Sequence, residues 1–383
     1  MTSPASGSVA PGLEAVRSAF EENFADHAEV GSAFCATRDG EVLVDLWGGE
    51  ARPGVAWEAD TMVPVFSTTK GATAAALARL VAAGDLDVER PVASYWPEFA
   101  AGGKGDITVR QVLTHTSGVV TFDAYEDVVE NPGWWLDLDA VAAAFAAATP
   151  SWEPGRRHGY HGASIGLIAN EVVRRATGRT IGHVLRSEIA GPHSLDFHIG
   201  SDLPDERIAR LVDASPPDDP VVEAYIALFT PDHLQGRAHL IGRRGIYDLA
   251  ALMDDRRMRP AEHPAGGGIA SARAVAGLYA GLLAGSIVDP ATVDLFVAEQ
   301  VRGPDHVLLV ETAYGLVFQR PTPYLRLGPA PEAFGHGGLG GSGGFADPTT
   351  GLAVGYAMNQ IVFPSLQGET RMGRLVNTLY DSL

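Results

Sequence analysis

Segments with the residue pattern of β-strands lie near the two ends of the 383-residue chain, and segments with helical periodicity lie between them. Near the N-terminus, residues 31–38 (GSAFCATR) and 41–49 (EVLVDLWGG) flank Asp39-Gly40, a dipeptide typical of two-residue β-hairpin turns. Near the C-terminus, the strand-like runs are TAYGLVFQR and FGHGGLGGSGGFADPTTGLAVGYAMN. This arrangement predicts one antiparallel sheet built from both ends of the chain, with a helical part inserted between them.

Several segments have the apolar spacing or the end signals of α-helices, and the chain is predicted to start with one of them. They are residues 12–27, the segment after Ser67, residues 138–148, residues 163–177 with Gly178 as the terminating glycine, SARAVAGLYAGLLAG and MGRLVNTLYDSL. Residues 200–265 are rich in proline, aspartate and arginine, which predicts long irregular connections at the mouth of a cleft. We therefore expect an α+β fold, in which residues 1–100 and 265–383 form a sheet domain flanked by helices. Residues 101–264 are expected to form a mainly helical inserted domain, with the active site between the two.

The formal net charge of −19 is spread along the chain, which argues against nucleic acid and anionic membranes as partners. The longest apolar run, residues 140–148, is far shorter than the roughly 20 residues of a membrane-spanning helix. The first residues have neither the basic region nor the apolar region of a secretory signal. A cytoplasmic location is therefore expected.

The sequence offers no sign of a metal site or a cofactor. Cys35 is the only cysteine, which excludes an internal disulfide and a thiolate metal cluster, and its place in a strand-like run predicts a small buried side chain. The twelve histidines include neither H-E-x-x-H nor another spacing typical of metal ligands. We expect no cofactor, and a small molecule as the binding partner.

Lysine is rare in this chain, because only Lys70 and Lys104 occur among 28 basic residues and all others are arginine. Lys70 follows Ser67 by three positions, so in a helix that begins near Ser67 the amine is within reach of the hydroxyl. Small residues at 71–78 let other elements bury this helix, and burial lowers the pKa of a lysine. A desolvated lysine can accept a proton, whereas an arginine in a protein cannot lose one. Lys70 is therefore a candidate base for Ser67; the alternative is an exposed lysine that only solubilises the helix.

Two other serines, Ser164 and Ser342, lie in G-x-S-x-G, the nucleophile motif of α/β-hydrolases. That motif has this meaning only between a buried strand and a helix. A polar segment precedes Ser164, and the FADP that follows Ser342 is expected to be a turn with no helix after it. We interpret both matches as accidental, and keep an α/β-hydrolase as the alternative fold.

Four further segments follow Ser67 and Lys70 in order: VRQVLTHTSGV (109–119), WEPGRRHGYHGASIGLIANEVVRRATGR (152–179), GGGIASARAVAGLYAGLL (266–283) and FGHGGLGGSGGFADP. With S-x-x-K, they resemble the serine β-lactamase and penicillin-binding-protein superfamily, and within it most of all the family VIII carboxylesterases, which share the class C β-lactamase fold. The resemblance covers most of residues 42–361 and is poor over 200–264. It implies a β-lactamase/transpeptidase-like fold.

The resemblance also implies roles for the residues at matching positions. Ser67 would be the nucleophile and Lys70 its partner, and Tyr160, at the tyrosine of the Y-x-N motif, would be a phenolic base that shares a proton with the lysine. The backbone N–H groups of Ser67 and Leu339 would form the oxyanion hole. The positions of the K-T-G triad, which contact the substrate, are taken by His336, Gly337 and Gly338.

The chain departs from the family pattern at two positions. Gly162 replaces the asparagine of Y-x-N, and His336 replaces the lysine of K-T-G, which in the lactamases helps to hold the antibiotic carboxylate. A histidine with its ordinary pKa is mostly neutral at pH 7, and a neutral ester needs no such cation. We therefore expect a serine carboxylesterase that works through an acyl-Ser67 intermediate. A β-lactamase, a D-amino-acid peptidase or amidase, and an acyltransferase are the alternatives on the same scaffold.

Other side chains near the motifs have more than one interpretation. His115 and Ser117 resemble a structural turn of the family. His158 and His161 flank the tyrosine of the Y-x-N motif and are expected to face solvent in a loop, the alternative being that one faces the cleft. The tryptophan pair at 134–135 has two interpretations, as pocket lining or as core.

Overall fold

The computed structural model describes residues 5–217, 219–243, 245–363 and 370–383. Its strands are β1 (Ser6–Val9), β2 (Gly31–Arg38), β3 (Glu41–Arg52), β4 (Val55–Ala56), β5 (Val63–Pro64), β6 (Phe197–His198), β7 (Ile269–Ala270), β8 (Val301–Pro304), β9 (Glu311–Tyr314), β10 (Phe334–Gly337), β11 (Gly343–Asp347) and β12 (Leu352–Met358). Its α-helices are α1 (Glu14–Asp26), α2 (Thr69–Ala82), α3 (Val109–Leu113), α4 (Pro132–Leu136), α5 (Leu138–Ala147), α6 (Ser164–Thr177), α7 (Ile181–Val184), α8 (Pro220–Ile226), α9 (Leu234–Ala238), α10 (Leu249–Asp254), α11 (Ala272–Leu283), α12 (Pro290–Val297) and α13 (Arg371–Ser382).

The main sheet has the strand order β1-β3-β2-β12-β11-β10, with β4 paired to the end of β3, and every pairing in it is antiparallel. Strands from the two ends of the chain meet where β2 pairs with β12, with Phe34 opposite Tyr356. The prediction of an α+β fold, with one antiparallel sheet assembled from both ends, is confirmed. The predicted hairpin turn is also present, since Asp39 and Gly40 both have positive φ values, 50° and 86°.

Helices cover both faces of this sheet. On one face, Phe20 of α1 and Leu375 of α13 share an apolar cluster with Phe34 of β2. On the other face α11 lies against β12, and a Cβ atom on Gly355 would lie 2.3 Å from the Ala272 carbonyl oxygen. The absence of a side chain at Gly355 therefore allows the close contact between helix and sheet.

The end strands and the irregular region differ from the sequence-based expectation. In the described part of the chain the first element is β1 and not a helix, since pairing with β3 holds SGSV as a strand. The sequence did not predict this strand because SGSV has too little apolar pattern. Only the first three residues of TAYGLVFQR, 312–314, lie in a strand, β9, which pairs with β8 in a separate hairpin. The FADP after Ser342 is not a turn, since residues 343–347 pair with strands on both sides. Short helices α8, α9 and α10 interrupt the segment expected to be irregular.

Helix α2 is central, as its small residues predicted, because every residue from 71 to 78 is buried. The short strand β5 precedes it and pairs with β7, which also pairs with β6. The division of the chain into domains at 1–100 with 265–383, and at 101–264, stays a prediction.

Candidate active site

Ser67 lies in a tight turn that leads from β5 into α2. Residues Phe66–Thr68 form a single 3₁₀ turn, and the α-helix begins at Thr69, two residues later than the expected start near Ser67. Phe66 has a φ of 48°, in the left-handed region that a bulky residue adopts only where its surroundings hold it. Thr69 supplies part of that support, because its hydroxyl donates to the Phe66 carbonyl and accepts the Gly268 N–H at 2.9 Å. The serine is thus half-buried at a supported, strained turn.

Lys70 is completely buried, and its amine lies among three oxygen atoms. Nζ is 2.7 Å from the Gly162 carbonyl oxygen, 2.7 Å from the Ala265 carbonyl oxygen and 3.1 Å from Ser67 Oγ. Burial lowers the pKa of Lys70 well below the ordinary lysine value. A neutral amine has two N–H groups, which the carbonyls accept, and one lone pair, which is left for the Ser67 hydroxyl proton. The alternative of an exposed, solubilising lysine is wrong.

Two glycines bring these carbonyl groups to Lys70. A Cβ atom on Gly162 would lie 2.7 Å from the His239 ring, and one on Gly166 would lie 2.4 Å from the Ala265 nitrogen. Both positions therefore need glycine for the close approach of neighbouring backbone. Ser164 between them is fully buried at the start of α6, and its hydroxyl has no hydrogen-bond partner among the described residues. The residues of this G-x-S-x-G match therefore pack around the lysine, and its serine is not exposed.

The second lysine is also buried but has different partners. Lys104 Nζ donates to the carbonyl oxygens of Ala101 at 2.7 Å, Ala146 at 2.9 Å and Ala148. Ala146 and Ala148 lie at the C-terminal end of α5, where carbonyl groups lack partners within the helix. Carbonyl oxygens have no proton to give, so Lys104 terminates a helix and cannot act as a base there.

Tyr160 lies beside Lys70 with 4% of its surface exposed. Lys70 Nζ is 4.8 Å from the centre of the Tyr160 ring, and the Tyr160 backbone N–H donates to Asp305 Oδ1 at 3.0 Å. Burial raises the pKa of Tyr160, although the hydrogen bond with the Ser67 side chain opposes the shift. A phenolic base, as the resemblance implied, would need a lowered pKa, so the shift is in the opposite direction. The reason is that burial disfavours the charged phenolate.

His336 is buried on β10, with its ring centre 6.0 Å from that of Tyr160. Burial lowers its pKa well below the ordinary histidine value, so the ring is neutral at pH 7, as expected. Nδ1 lies 2.6 Å from the Gly337 carbonyl oxygen, which can only accept, so Nδ1 carries the proton. Nε2 is then an acceptor, and it has no partner among the described residues.

The glycine-rich strand lies directly against the Ser67 turn. A Cβ atom on Gly338 would lie 2.2 Å from Ser342 Oγ and 2.5 Å from the Val65 carbonyl oxygen. Ser342 Oγ donates to that carbonyl at 2.8 Å and is 3.0 Å from Thr68 Oγ1. Ser342, the serine of the second G-x-S-x-G match, therefore links the loop after β10 to the Ser67 turn by hydrogen bonds.

The two backbone groups that the resemblance assigns to the oxyanion hole belong to these two connected turns. Ser67 lies in the 3₁₀ turn before α2, and Leu339 begins the 3₁₀ turn Leu339–Gly341 after β10. Within the described ranges, no acceptor is recorded for either N–H, as is usual for the first residues of a helical turn. Both donors are therefore available to a ligand oxygen.

We expect Gly338→Ala to destabilise the fold by about 1–3 kcal/mol, because the added methyl group has no space between strand and turn. Gly337→Ala is the matched control. Its Cβ would meet only Gln319 Oε1, at 3.8 Å, so its stability should stay within about 0.5 kcal/mol of the unmodified protein. Urea unfolding at equilibrium measures both. Equal stability of the two variants would contradict the close contact at Gly338.

The histidines beside Tyr160 do not face solvent, so that expectation is wrong. His158 is 7% exposed and His161 is 0% exposed, because hydrogen bonds hold this loop inside the protein. His161 Nε2 is 2.8 Å from Ser117 Oγ, and the His161 N–H donates to His115 Nδ1 at 2.9 Å. Ser117 and His115 thus support the loop that carries the tyrosine. The tryptophan pair at 134–135 belongs to the main core.

Asp305 is a residue that the sequence analysis missed. It is 3% exposed and lies in the loop between β8 and β9, far from Tyr160 in sequence. No motif singles out one aspartate in VRGPDH, and only the folded chain places it against Tyr160.

A profile of the family described as Beta-lactamase matches residues 16–375. The chain belongs to the beta-lactamase family. The esterase/beta-lactamase LipL of Mycobacterium tuberculosis is 32% identical over 377 residues, which cover 94% of this chain and 83% of LipL. A penicillin-binding-protein homolog from Caulobacter crescentus has a TM-score of 0.85 and 38% identity, over 99% of this chain and 100% of its own.

A family VIII carboxylesterase of known structure has a TM-score of 0.86 and 35% identity, again over 99% of this chain and 100% of its own. The predicted resemblance and the β-lactamase-like fold are confirmed. Among the described residues, no helix has the length and apolarity needed to cross a bilayer. The same residues contain no group of three or more His, Cys, Asp or Glu side chains arranged to hold a metal ion.

Proposed function

We propose that this protein is a serine hydrolase that cleaves carboxylic esters through a covalent acyl-Ser67 intermediate. The observation that carries the proposal is the buried Lys70 amine, whose two N–H groups have carbonyl acceptors while its lone pair is left for the Ser67 hydroxyl. The similarity to LipL and to a family VIII carboxylesterase supports an ester as the substrate.

In the first step, Ser67 Oγ attacks the ester carbonyl carbon while Lys70 takes its proton. The carbonyl oxygen becomes an oxyanion, which the N–H groups of Ser67 and Leu339 stabilise. As the tetrahedral intermediate collapses, the bond to the alcohol oxygen breaks. Tyr160 gives its proton to the departing alkoxide and receives one from the Lys70 ammonium, which leaves an acyl-Ser67 ester. Water then attacks the acyl carbonyl carbon and gives a proton to the same pair. The bond to Ser67 Oγ breaks, the pair returns the proton to Oγ, and the acid leaves.

The His336 ring favours an ester over a β-lactam. A lactam antibiotic carries a carboxylate, and a neutral histidine at the position of the K-T-G lysine supplies no charge to hold it. We propose that His336, Gly337 and Gly338 line the ester substrate. A β-lactamase, a D-amino-acid peptidase or amidase, and an acyltransferase stay the alternatives. We further propose that the active site lies between the two predicted domains and that the enzyme acts in the cytoplasm.

A fluorophosphonate probe followed by peptide mass spectrometry tests the nucleophile. We expect one adduct, on Ser67, that is lost in Ser67→Ala and kept in Ser164→Ala. An adduct on Ser164 or Ser342 with Ser67 unmodified would overturn the assignment.

Turnover of different substrates and acceptors separates the alternative activities. Turnover of short p-nitrophenyl esters without turnover of nitrocefin is expected for an esterase. Transfer of the acyl group to an added alcohol in preference to water would instead show an acyltransferase.

A further inference from the structure

We infer that Asp305 is a positioning residue for Tyr160, and that the β8–β9 hairpin holds this tyrosine in place for proton transfer. The inference rests on the proposed function of Tyr160. Asp305 Oδ1 accepts the Tyr160 backbone N–H at 3.0 Å, across 145 positions of sequence. A hairpin that is separate from the main sheet thus holds the backbone of the residue whose hydroxyl lies beside Ser67.

Both oxygens of the Asp305 carboxylate accept hydrogen bonds. Oδ1 also accepts the N–H groups of Val307 and Leu308, both at 2.8 Å, and Oδ2 accepts the Thr312 hydroxyl at 3.0 Å. The described residues show no ion pair to Asp305, so these donors alone compensate the loss of water around a 3% exposed carboxylate. A buried charge with this many donors holds its position rigidly, and the Tyr160 backbone is fixed with it.

The loop of Tyr160 has further bonds to the hairpin. The His306 N–H donates to the His158 carbonyl at 3.1 Å, and His158 Nε2 is 2.9 Å from Thr312 Oγ1. A Cβ atom on Gly159 would lie 3.0 Å from Val307 Cγ2, so the two segments are in close contact. The hairpin therefore holds residues 158–160 from one side.

The hairpin also holds the ring of Tyr160. Tyr160, Val307 and Tyr314 share an apolar cluster. The ring centres of Tyr160 and Tyr314 are 6.2 Å apart, and the ring planes are inclined by 20°. The backbone bond to Asp305 and this stacking restrain the tyrosine at two places. Proton transfer depends steeply on such placement, because an error of about 1 Å can reduce a rate about 10²-fold.

The alternative is that Asp305 only stabilises its own turn through Val307 and Leu308. A double-mutant cycle distinguishes the two interpretations, since it measures whether Asp305 acts through Tyr160. We expect Asp305→Ala to lower kcat for a p-nitrophenyl ester by about 10²-fold with little change in KM. In a Tyr160→Phe background the same substitution should lower kcat by less than about twofold. Asp305→Asn keeps the Oδ1 acceptor and should restore most of the activity.

If Asp305→Ala does not fold, Asp305→Ser replaces it, because a serine hydroxyl can support the local turn while falling short of Tyr160. Circular dichroism and thermal unfolding check that each variant is folded at the assay temperature. Equal losses of kcat in the unmodified enzyme and in the Tyr160→Phe background would overturn the inference and leave the proposed function intact. If Tyr160→Phe alone leaves kcat unchanged while Ser67 is still labelled, the role of Tyr160 fails and the inference fails with it.

Discussion

Lys70→Arg is expected to lower kcat/KM for a short-chain p-nitrophenyl ester by about 10²- to 10⁴-fold. An arginine stays protonated, so the Ser67 hydroxyl would face a donor in place of the lone pair it needs. The substitution removes no positive charge from this position, so a fall in kcat/KM reports the missing proton acceptor. Steady-state kinetics near neutral pH measure it.

Lys104→Arg is the matched control, because it makes the same substitution at the other completely buried lysine. Lys104 contacts three carbonyl groups and no hydroxyl, so its replacement should change thermal stability and leave kcat/KM of the folded fraction close to that of the unmodified enzyme. Normal activity of Lys70→Arg, or an equal loss of activity in both folded variants, would show that Lys70 is not the base.

The two lysines differ in the one partner that marks the candidate site. The rarity of lysine indicates burial at Lys104 as much as at Lys70, since both amines lie among backbone carbonyls. The chemical difference is the third partner, which at Lys70 is the hydroxyl of Ser67. The three-residue spacing from Ser67 predicted that partner, and the small residues of α2 predicted its burial.

Turn residues and apolar periodicity predicted the elements that depend on residues close together in the sequence. The hairpin turn at Asp39 and Gly40 and the helix end at Gly178, with a φ of 71°, follow from the freedom of short or absent side chains. The meeting of β2 with β12 followed from strand patterns at both ends of the chain. These features need only the periodicity and turn chemistry of each segment.

Several other features, which depend on contacts between distant residues, were not predicted. SGSV forms β1 only because β3 supplies a partner, and Asp305 reaches Tyr160 only after residues 145 positions apart are brought together. The burial of His158 and His161 likewise depends on Thr312 and Ser117, which no local pattern connects with them. Pairings of this kind depend on the folded chain and not on propensity.

The protonation states at the site also depended on burial. The family resemblance implied that Tyr160 is a phenolic base that shares a proton with Lys70. In the structure both groups are buried, and burial moves the pKa of Lys70 down and that of Tyr160 up, which favours the neutral form of each. We therefore propose the amine as the proton acceptor and the phenol as the donor. This assignment leads to a test in which the two residues give different pH profiles.

Tyr160→Phe is expected to lower kcat/KM by about 10²-fold or more while leaving the acid limb of the pH profile in place. Because burial lowers the pKa of Lys70, the fraction of neutral amine rises with pH through that pKa, and kcat/KM rises with it and then levels off. The raised pKa of Tyr160 keeps the phenol protonated across this range, so its removal costs proton delivery to the alkoxide without changing the titration. Tyr314→Phe, on the ring stacked against Tyr160, is the matched control and should keep nearly full activity. If the acid limb disappeared in Tyr160→Phe, the tyrosine and not Lys70 would be the group that takes the proton from Ser67.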